Sequence, residues 1–320
     1  MLDALFRPYP EPPEVGYWGT PTSTIDWCEE NYVVSPFIAE WSNTITNGLF
    51  VLLSVFVTYS ALRNHLETRF VMIGLGFGTV GVGSWLFHMT LRYEYQLLDE
   101  LPMIYATCIP AWSIFCEEAE ILRRSKKDSE ASKPKQVVVG SSVFLAAAIL
   151  TVVYLVYRDP TIHQTAYAIL NVVVVFSAGI MAHRYVQDQR AKRNLRNTMA
   201  LSISIFLLGF LVWNLDNFFC SFWRYIRRSF LRLPLGIFLE LHAWWHLLTG
   251  TGVYYYIVHL EYLRVLTHGQ SDNYTLAWRW RIFPELVHKQ NPIHTPYSLE
   301  FLDDYVGTSS SEHPDRRKSE

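Results

Sequence analysis

Long apolar runs, broken by short polar stretches, dominate the chain. This is the pattern of a membrane protein and not the scattered apolar positions of a soluble core. A hydrocarbon core about 30 Å thick takes about 20 apolar residues in helical form. Seven segments meet or approach that length: residues 38–62, 70–87, 101–116, 137–157, 166–182, 199–219 and 235–259, the third and fifth being short. The expected fold is therefore an all-α integral membrane protein with seven transmembrane helices. Residues 1–16 carry Pro8, Pro10, Pro12 and Pro13 and no apolar run, so no signal peptide is expected and the first span serves as its own insertion signal.

Orientation follows from the Lys and Arg residues in the short loops. With the N-terminus lumenal, the inner loops hold Arg63, Arg69, Arg123, Arg124, Lys126, Lys127, Lys133, Lys135, Arg184, Arg190, Lys192, Arg193 and Arg196. The outer loops hold Arg92, Arg158, Arg224, Arg227, Arg228 and Arg232. Thirteen against six places the N-terminus in the lumen and the C-terminus in the cytosol, although the last outer loop runs against the rule. The domains expected are a lumenal segment (1–35), a membrane domain (36–260) and a cytosolic tail (261–320), whose Ser- and charge-rich end (308–320) should be disordered.

The polar residues inside the spans carry the chemistry, because an ionisable group in a membrane is costly and a functional role is its default reading. In Glu240-Leu241-His242-Ala243-Trp244-Trp245-His246, two imidazoles four residues apart share a helix face and can reach one metal ion. Taken alone, such a pair also suits a helix end at the headgroups. The topology, however, brings His88, at the outer end of the second span, to a similar depth, with Ser84 one turn below it and Asp99 at the outer start of the third span. Three histidines with an open fourth position are the composition of a catalytic zinc site. Water on such a zinc has its pKa lowered to about 7 and becomes a nucleophile, which points to hydrolysis. Asp99 is then the candidate general base and Ser84 a donor to the developing oxyanion. A site within lipid implies a lipid substrate from the bilayer, and Trp245, between the two histidines, is the candidate side chain to contact it. The first span opens with Ser42, Asn43, Thr44, Thr46 and Asn47, which must face protein or water. His163, near the top of the fifth span, reads as interfacial.

In the lumenal segment, Asp26, Trp27 through its carbonyl, Glu29, Asn31 and Glu40 offer the hard oxygens that suit calcium. From spacing alone an acidic helix cap is the better fit, since acidic turns before a helix are common. Cys28 and Cys220 both lie on the oxidising side and are expected to form a disulfide, whereas Cys108 and Cys116 lie within the third span and stay reduced. A formal net charge of only -2 says nothing about partners. The chain has no repeats, no phosphate-binding glycine loop and no nucleic-acid patch, and no protein partner is predicted.

Six blocks together resemble the alkaline ceramidases: Gly16-Tyr17-Trp18-Gly19, Ser23-Thr24-Ile25-Asp26-Trp27-Cys28-Glu29-Glu30-Asn31-Tyr32, Gly83-Ser84-Trp85-Leu86-Phe87-His88-Met89-Thr90-Leu91, Gln96-Leu97-Leu98-Asp99-Glu100-Leu101-Pro102-Met103, Trp213-Asn214-Leu215-Asp216-Asn217 and His242-Ala243-Trp244-Trp245-His246. The resemblance, of fungal type, implies a seven-helix zinc amidohydrolase of the endoplasmic reticulum or Golgi. It would cleave the amide of ceramide into a sphingoid base and a free fatty acid. By position the likeness makes His88, His242 and His246 zinc ligands and Ser84 and Asp99 catalytic. It makes Asp26, Trp27, Glu29, Asn31 and Glu40 calcium ligands. The alternative is a seven-helix zinc-containing receptor or lipid-binding protein of the adiponectin-receptor type, which has no need of a base at Asp99.

Overall fold

The apolar runs form long helices in the computed structural model, which describes residues 6–126, 133–279 and 282–290. The first run is divided at Asn47 into α1 (Trp41–Thr46) and α2 (Gly48–Arg63). Here the Asn47 amide turns back onto the Asn43 carbonyl (2.9 Å). Then come α3 (Thr68–Thr90), α4 (Tyr93–Lys126), α5 (Lys133–Tyr157), α6 (Pro160–Tyr185) and α7 (Gln189–Phe218). The turns into α6 and α7 are set by capping carboxylates: Asp159 accepts from the Thr161 N–H (2.9 Å) and Asp188 from that of Ala191 (3.0 Å). An insertion of short turns follows, made of α8 (Cys220–Ile226), a π-helical turn, the single turn α9 (Arg232–Leu235) and a 3₁₀ turn. The last helix, α10 (Leu241–Thr267), starts later than the apolar run at 235 and continues past residue 260.

Among the described residues, five helices are long and apolar enough to cross a membrane: Trp41–Arg63, Thr68–Thr90, Lys135–Tyr157, Pro160–Tyr185 and Gln189–Phe218. Large apolar side chains such as Phe144, Val156, Phe176 and Leu211 project outward from α5, α6 and α7, a belt suited to lipid and not to water. α4 and α10, with 34 and 27 residues, are long enough but more polar. They carry Asp99, Glu100 and Glu117, and His242, His246, His259, Glu261 and Arg264. Neighbouring helices shelter this polarity: α10 is buried along most of its length and packs against α7, α2 and α1, while α3 lies between α2 and α4. The chain is thus an all-α membrane protein in which the two polar long helices carry most of the candidate site.

α3 can lie so close to its neighbours because of its glycines. A Cβ at Gly78 would stand 2.4 Å from the Ser54 Oγ of α2. At the end of the bundle away from the histidines, Arg264 pairs with Glu67 (2.7 Å), Glu117 and Glu120, tying α10 to α4 and to the α2–α3 turn. Beyond α10, the chain folds back as an antiparallel hairpin of β1 (Tyr274–Arg279) and β2 (Phe283–His288), in register from Tyr274 with His288 to Arg279 with Phe283. Leu276, Trp278 and Leu286 enter the same core as Phe50, Ile73 and Tyr254, so the hairpin packs on the bundle. The stretch expected to be disordered, 308–320, lies outside the described residues.

Candidate metal centre

One turn of α10 separates His242 from His246, and α3 brings His88 against both. The ring centroids stand 5.1 Å (His88 to His242), 4.8 Å (His88 to His246) and 4.7 Å (His242 to His246) apart. One ligand atom from each lies within 4.8 Å of the other two, and all three side chains are buried. Two of the rings are oriented from behind. Nδ1 of His88 is bonded to the Glu40 carboxylate, and Nδ1 of His246 meets the Thr46 hydroxyl (3.1 Å) and the Asn47 amide (3.4 Å). The Glu40 carboxylate can only accept from Nδ1 of His88 and so leaves its Nε2 for a metal, the second-shell arrangement that fixes the tautomer of a metal-binding histidine. Of the polar residues that open the first span, Thr46 and Asn47 are accounted for by these contacts. His242 lies against the Trp27 ring (4.3 Å), and its Nδ1 has no protein partner.

These residues fit zinc. Three buried imidazoles converge, each offering one nitrogen, the donor set of a three-histidine zinc site. Asp99 is not a member of the histidine group. It lies beside Ser84 of α3. Two features of the backbone bring this pair together. Pro102 donates no N–H, which leaves the Leu98 carbonyl without its helical donor. That carbonyl lies where a Cβ at position 83 would be only 1.9 Å away, so Gly83 lets the first turns of α4 press against α3 beside Ser84. A second convergent group, Glu117, Glu120 and His268, is a weaker metal candidate. Its carboxylates already accept from Arg264, Thr267 and Gln136.

The acidic loop is partly a helix cap and partly a set of unsatisfied oxygens. Glu29 is buried and accepts from the backbone N–H groups of Ser42 (2.7 Å) and Asn43 (2.8 Å), capping α1. The Trp27 carbonyl accepts from Arg224 (3.3 Å). Among the described residues, Asn31 Oδ1 and Glu40 Oε1 are buried with no hydrogen-bond partner, an uncompensated state that a hard cation would relieve. Burial, together with the nearby Glu40 carboxylate, pushes Glu29 up to about 8, against the hydrogen bonds from Ser42 and Asn43. Burial likewise raises Asp26, opposed by the Arg224 guanidinium. Asp26, Glu29 and Glu40 do not converge as closely as the histidines do.

The arginines that break the loop-charge rule hold this segment down. Arg224 and Arg227 each donate to the Cys28 carbonyl (2.9 Å), Arg227 also pairs with Glu240 at the start of α10, and Arg228 binds Glu30 (2.7 Å) and Glu11 (2.7 Å). Cys28 and Cys220 form the expected disulfide, with Cα atoms 5.4 Å apart. Outer-loop arginines facing an acidic segment in sequence were the available signal for these pairings. Trp245 does not touch the histidine group through its ring. It packs with Phe206 (5.5 Å) and Trp213 (6.1 Å), and Trp213 in turn meets Trp27 (5.9 Å), an aromatic wall between α7 and the metal centre. His163 departs from its interfacial reading: it is buried beside Tyr154 (5.6 Å), because α6 starts six residues before the apolar run at 166.

A family model described as Ceramidase matches residues 19–287. The chain is 53% identical over 304 residues to alkaline ceramidase YPC1 of Saccharomyces cerevisiae, a match that takes in 95% of this chain and 96% of the relative. With alkaline ceramidase 3 of Mus musculus it shares 41% identity over 256 residues, 78% of this chain and 87% of the relative. With the alkaline ceramidase of Arabidopsis thaliana it shares 25% over 253 residues, 79% and 88%. Since the family model takes in every helix and nearly all of the hairpin, and two relatives match along most of their length, the chain belongs to the ceramidase family, among the alkaline ceramidases.

Proposed function

We propose that this enzyme hydrolyses the amide bond of ceramides (phytoceramide, dihydroceramide or unsaturated ceramide) to a sphingoid base and a free fatty acid, with zinc held by His88, His242 and His246. The observation that carries this reading is the three-histidine group beside the Ser84–Asp99 pair. Zinc, when bound there, supplies Lewis acidity, making a water acidic enough to ionise near pH 7 and polarising the amide carbonyl. Asp99 takes the proton of the attacking water. As the C–N bond breaks, it returns that proton to the leaving nitrogen. The Ser84 hydroxyl donates to the oxyanion that forms on the amide carbonyl. Trp245 and the aromatics around it contact the lipid chains.

In the membrane, α1 with α2, α3 to α7 and α10 make seven crossings, with the N-terminal segment lumenal and the C-terminus cytosolic, in the endoplasmic reticulum or Golgi. The Cys28–Cys220 disulfide supports this orientation, since it needs an oxidising compartment. Calcium takes the acidic loop through Asp26, Trp27, Glu29, Asn31 and Glu40, with the unsatisfied oxygens of Asn31 and Glu40 as its support. A receptor of the adiponectin-receptor type would leave the Ser84–Asp99 pair without a task. Asp99→Asn separates the two readings: turnover should fall by at least about 100-fold while zinc stays bound. Unchanged turnover in that variant would remove Asp99 as the proton carrier.

A further inference from the structure

Asp99 has an acidic neighbour, Glu100, whose contacts differ from its own. Successive residues on a helix point about 100° apart. Asp99 faces α3, whereas Glu100 faces α5 and is buried. Its Oε2 accepts from the Tyr154 hydroxyl of α5 and from the Gln96 amide (3.2 Å) one turn earlier on α4. Gln96, also buried, grips the lumenal segment twice. Its Nε2 donates to Thr24 Oγ1 (2.8 Å) and its Oε1 accepts from the Thr24 N–H (2.8 Å), two residues before Asp26. The same amide reaches the Tyr154 oxygen (3.2 Å), and the buried ring of His163 on α6 closes the far side of Tyr154.

Nothing in the chemistry described above uses these groups, and an apolar side chain would fill the volume of Glu100 without burying a carboxyl group. The first turns of α4 therefore meet a polar clamp on the face next to the one that presents Asp99. Gly83 allows α4 to approach α3 closely, but a glycine contact does not fix rotation about the helix axis. A directional hydrogen-bond set does.

We infer that Glu100, with Tyr154 and Gln96, is a positioning residue that fixes the rotation of the first turns of α4 and so aims Asp99 at Ser84 and the scissile amide. This rests on Asp99 acting as the proton carrier. Misplacing a reacting group by about 1 Å can lower a rate about 100-fold, so a clamp of this kind acts on kcat.

The test is steady-state turnover of purified Glu100→Ala, Glu100→Gln and Tyr154→Phe proteins, with melting temperature and zinc content, beside Asp99→Asn in the same assay. Glu100→Ala should lower kcat about 10- to 100-fold with KM within about twofold and zinc and melting temperature unchanged. Glu100→Gln, whose amide oxygen still accepts from Tyr154, should return kcat to within about threefold of the parent. Tyr154→Phe should fall between them, and Glu100→Ala with Tyr154→Phe should add nothing to Glu100→Ala alone. Parental kcat in folded, zinc-loaded Glu100→Ala would overturn the inference. So would a loss confined to KM, a loss that tracks the melting temperature, or a Glu100→Gln protein as slow as Glu100→Ala. Retained turnover in Asp99→Asn would instead overturn the reading of Asp99 on which the inference stands.

Discussion

Glu40 is bonded through Oε2 to Nδ1 of His88, while its Oε1 is buried without a partner. One carboxylate thus orients a histidine of the proposed zinc site and offers its second oxygen to the acidic loop. Residue type and position alone group Glu40 with the calcium ligands. Its place behind His88 depends on a contact across 48 residues, made as the segment before α1 crosses the end of α3.

Glu40→Gln should therefore weaken zinc binding about 10- to 100-fold, the usual effect of losing a second-shell carboxylate. Chelator competition on the purified protein measures it. Zinc affinity equal to the parent, with only a calcium response lost, would confine Glu40 to the calcium loop.

With Glu29 a ligand in the proposed calcium loop, its raised carboxyl should make calcium binding depend on pH. Its folded value of about 8 lies above the free-Glu value of about 4.3, so in calcium-free protein the stability this group contributes is present below about pH 4.3 and is lost as pH rises to about 8. Calcium requires the ionised carboxylate and must displace a proton below that value. The rise in melting temperature on adding calcium should be small at about pH 6 and full by about pH 8.5, with affinity increasing at most about tenfold per pH unit between. A calcium response independent of pH would exclude Glu29 as a ligand.

Gly83→Ala places a methyl group where the Leu98 carbonyl lies, 1.9 Å away, and must push α4 off α3. The expected result is a kcat about 100-fold lower, from displacement of Asp99, and a loss of about 1–3 kcal/mol in stability. Turnover and thermal melting of the variant report both. Parental kcat would show that close helix contact at this point does not set the position of Asp99.

Asn273-Tyr274-Thr275 is a glycosylation sequon with Asn273 exposed just before β1. In the proposed orientation it faces the cytosol and stays unmodified when the chain is expressed in a eukaryotic host. A glycosidase-sensitive shift that disappears in Asn273→Gln would invert the orientation.

Much of this was legible in the sequence because hydropathy and i, i+4 spacing are local properties. Hydropathy predicts helices in all seven apolar segments, and spacing with a shared depth picks out the histidines, Ser84 and Asp99. What was not legible depends on contacts between distant residues. α4 begins at Tyr93, not at the apolar run, because Gln96 and Glu100 are sheltered by Thr24 and Tyr154. Arg227 looked misplaced in an outer loop until Cys28 and Glu240 were found around it. The hairpin was missed because its strands gain their burial only by packing on Tyr254 and its neighbours.

The most direct test of the central claim is release of free sphingoid base from a panel of ceramides by the purified protein, at alkaline pH with calcium present, beside metal analysis and a His242→Ala control. The account predicts base release with about one zinc per chain, the stoichiometry of a three-histidine site, and loss of both in the control. Zinc bound at that level with no turnover of any ceramide would contradict it and favour a receptor-type role for the metal centre.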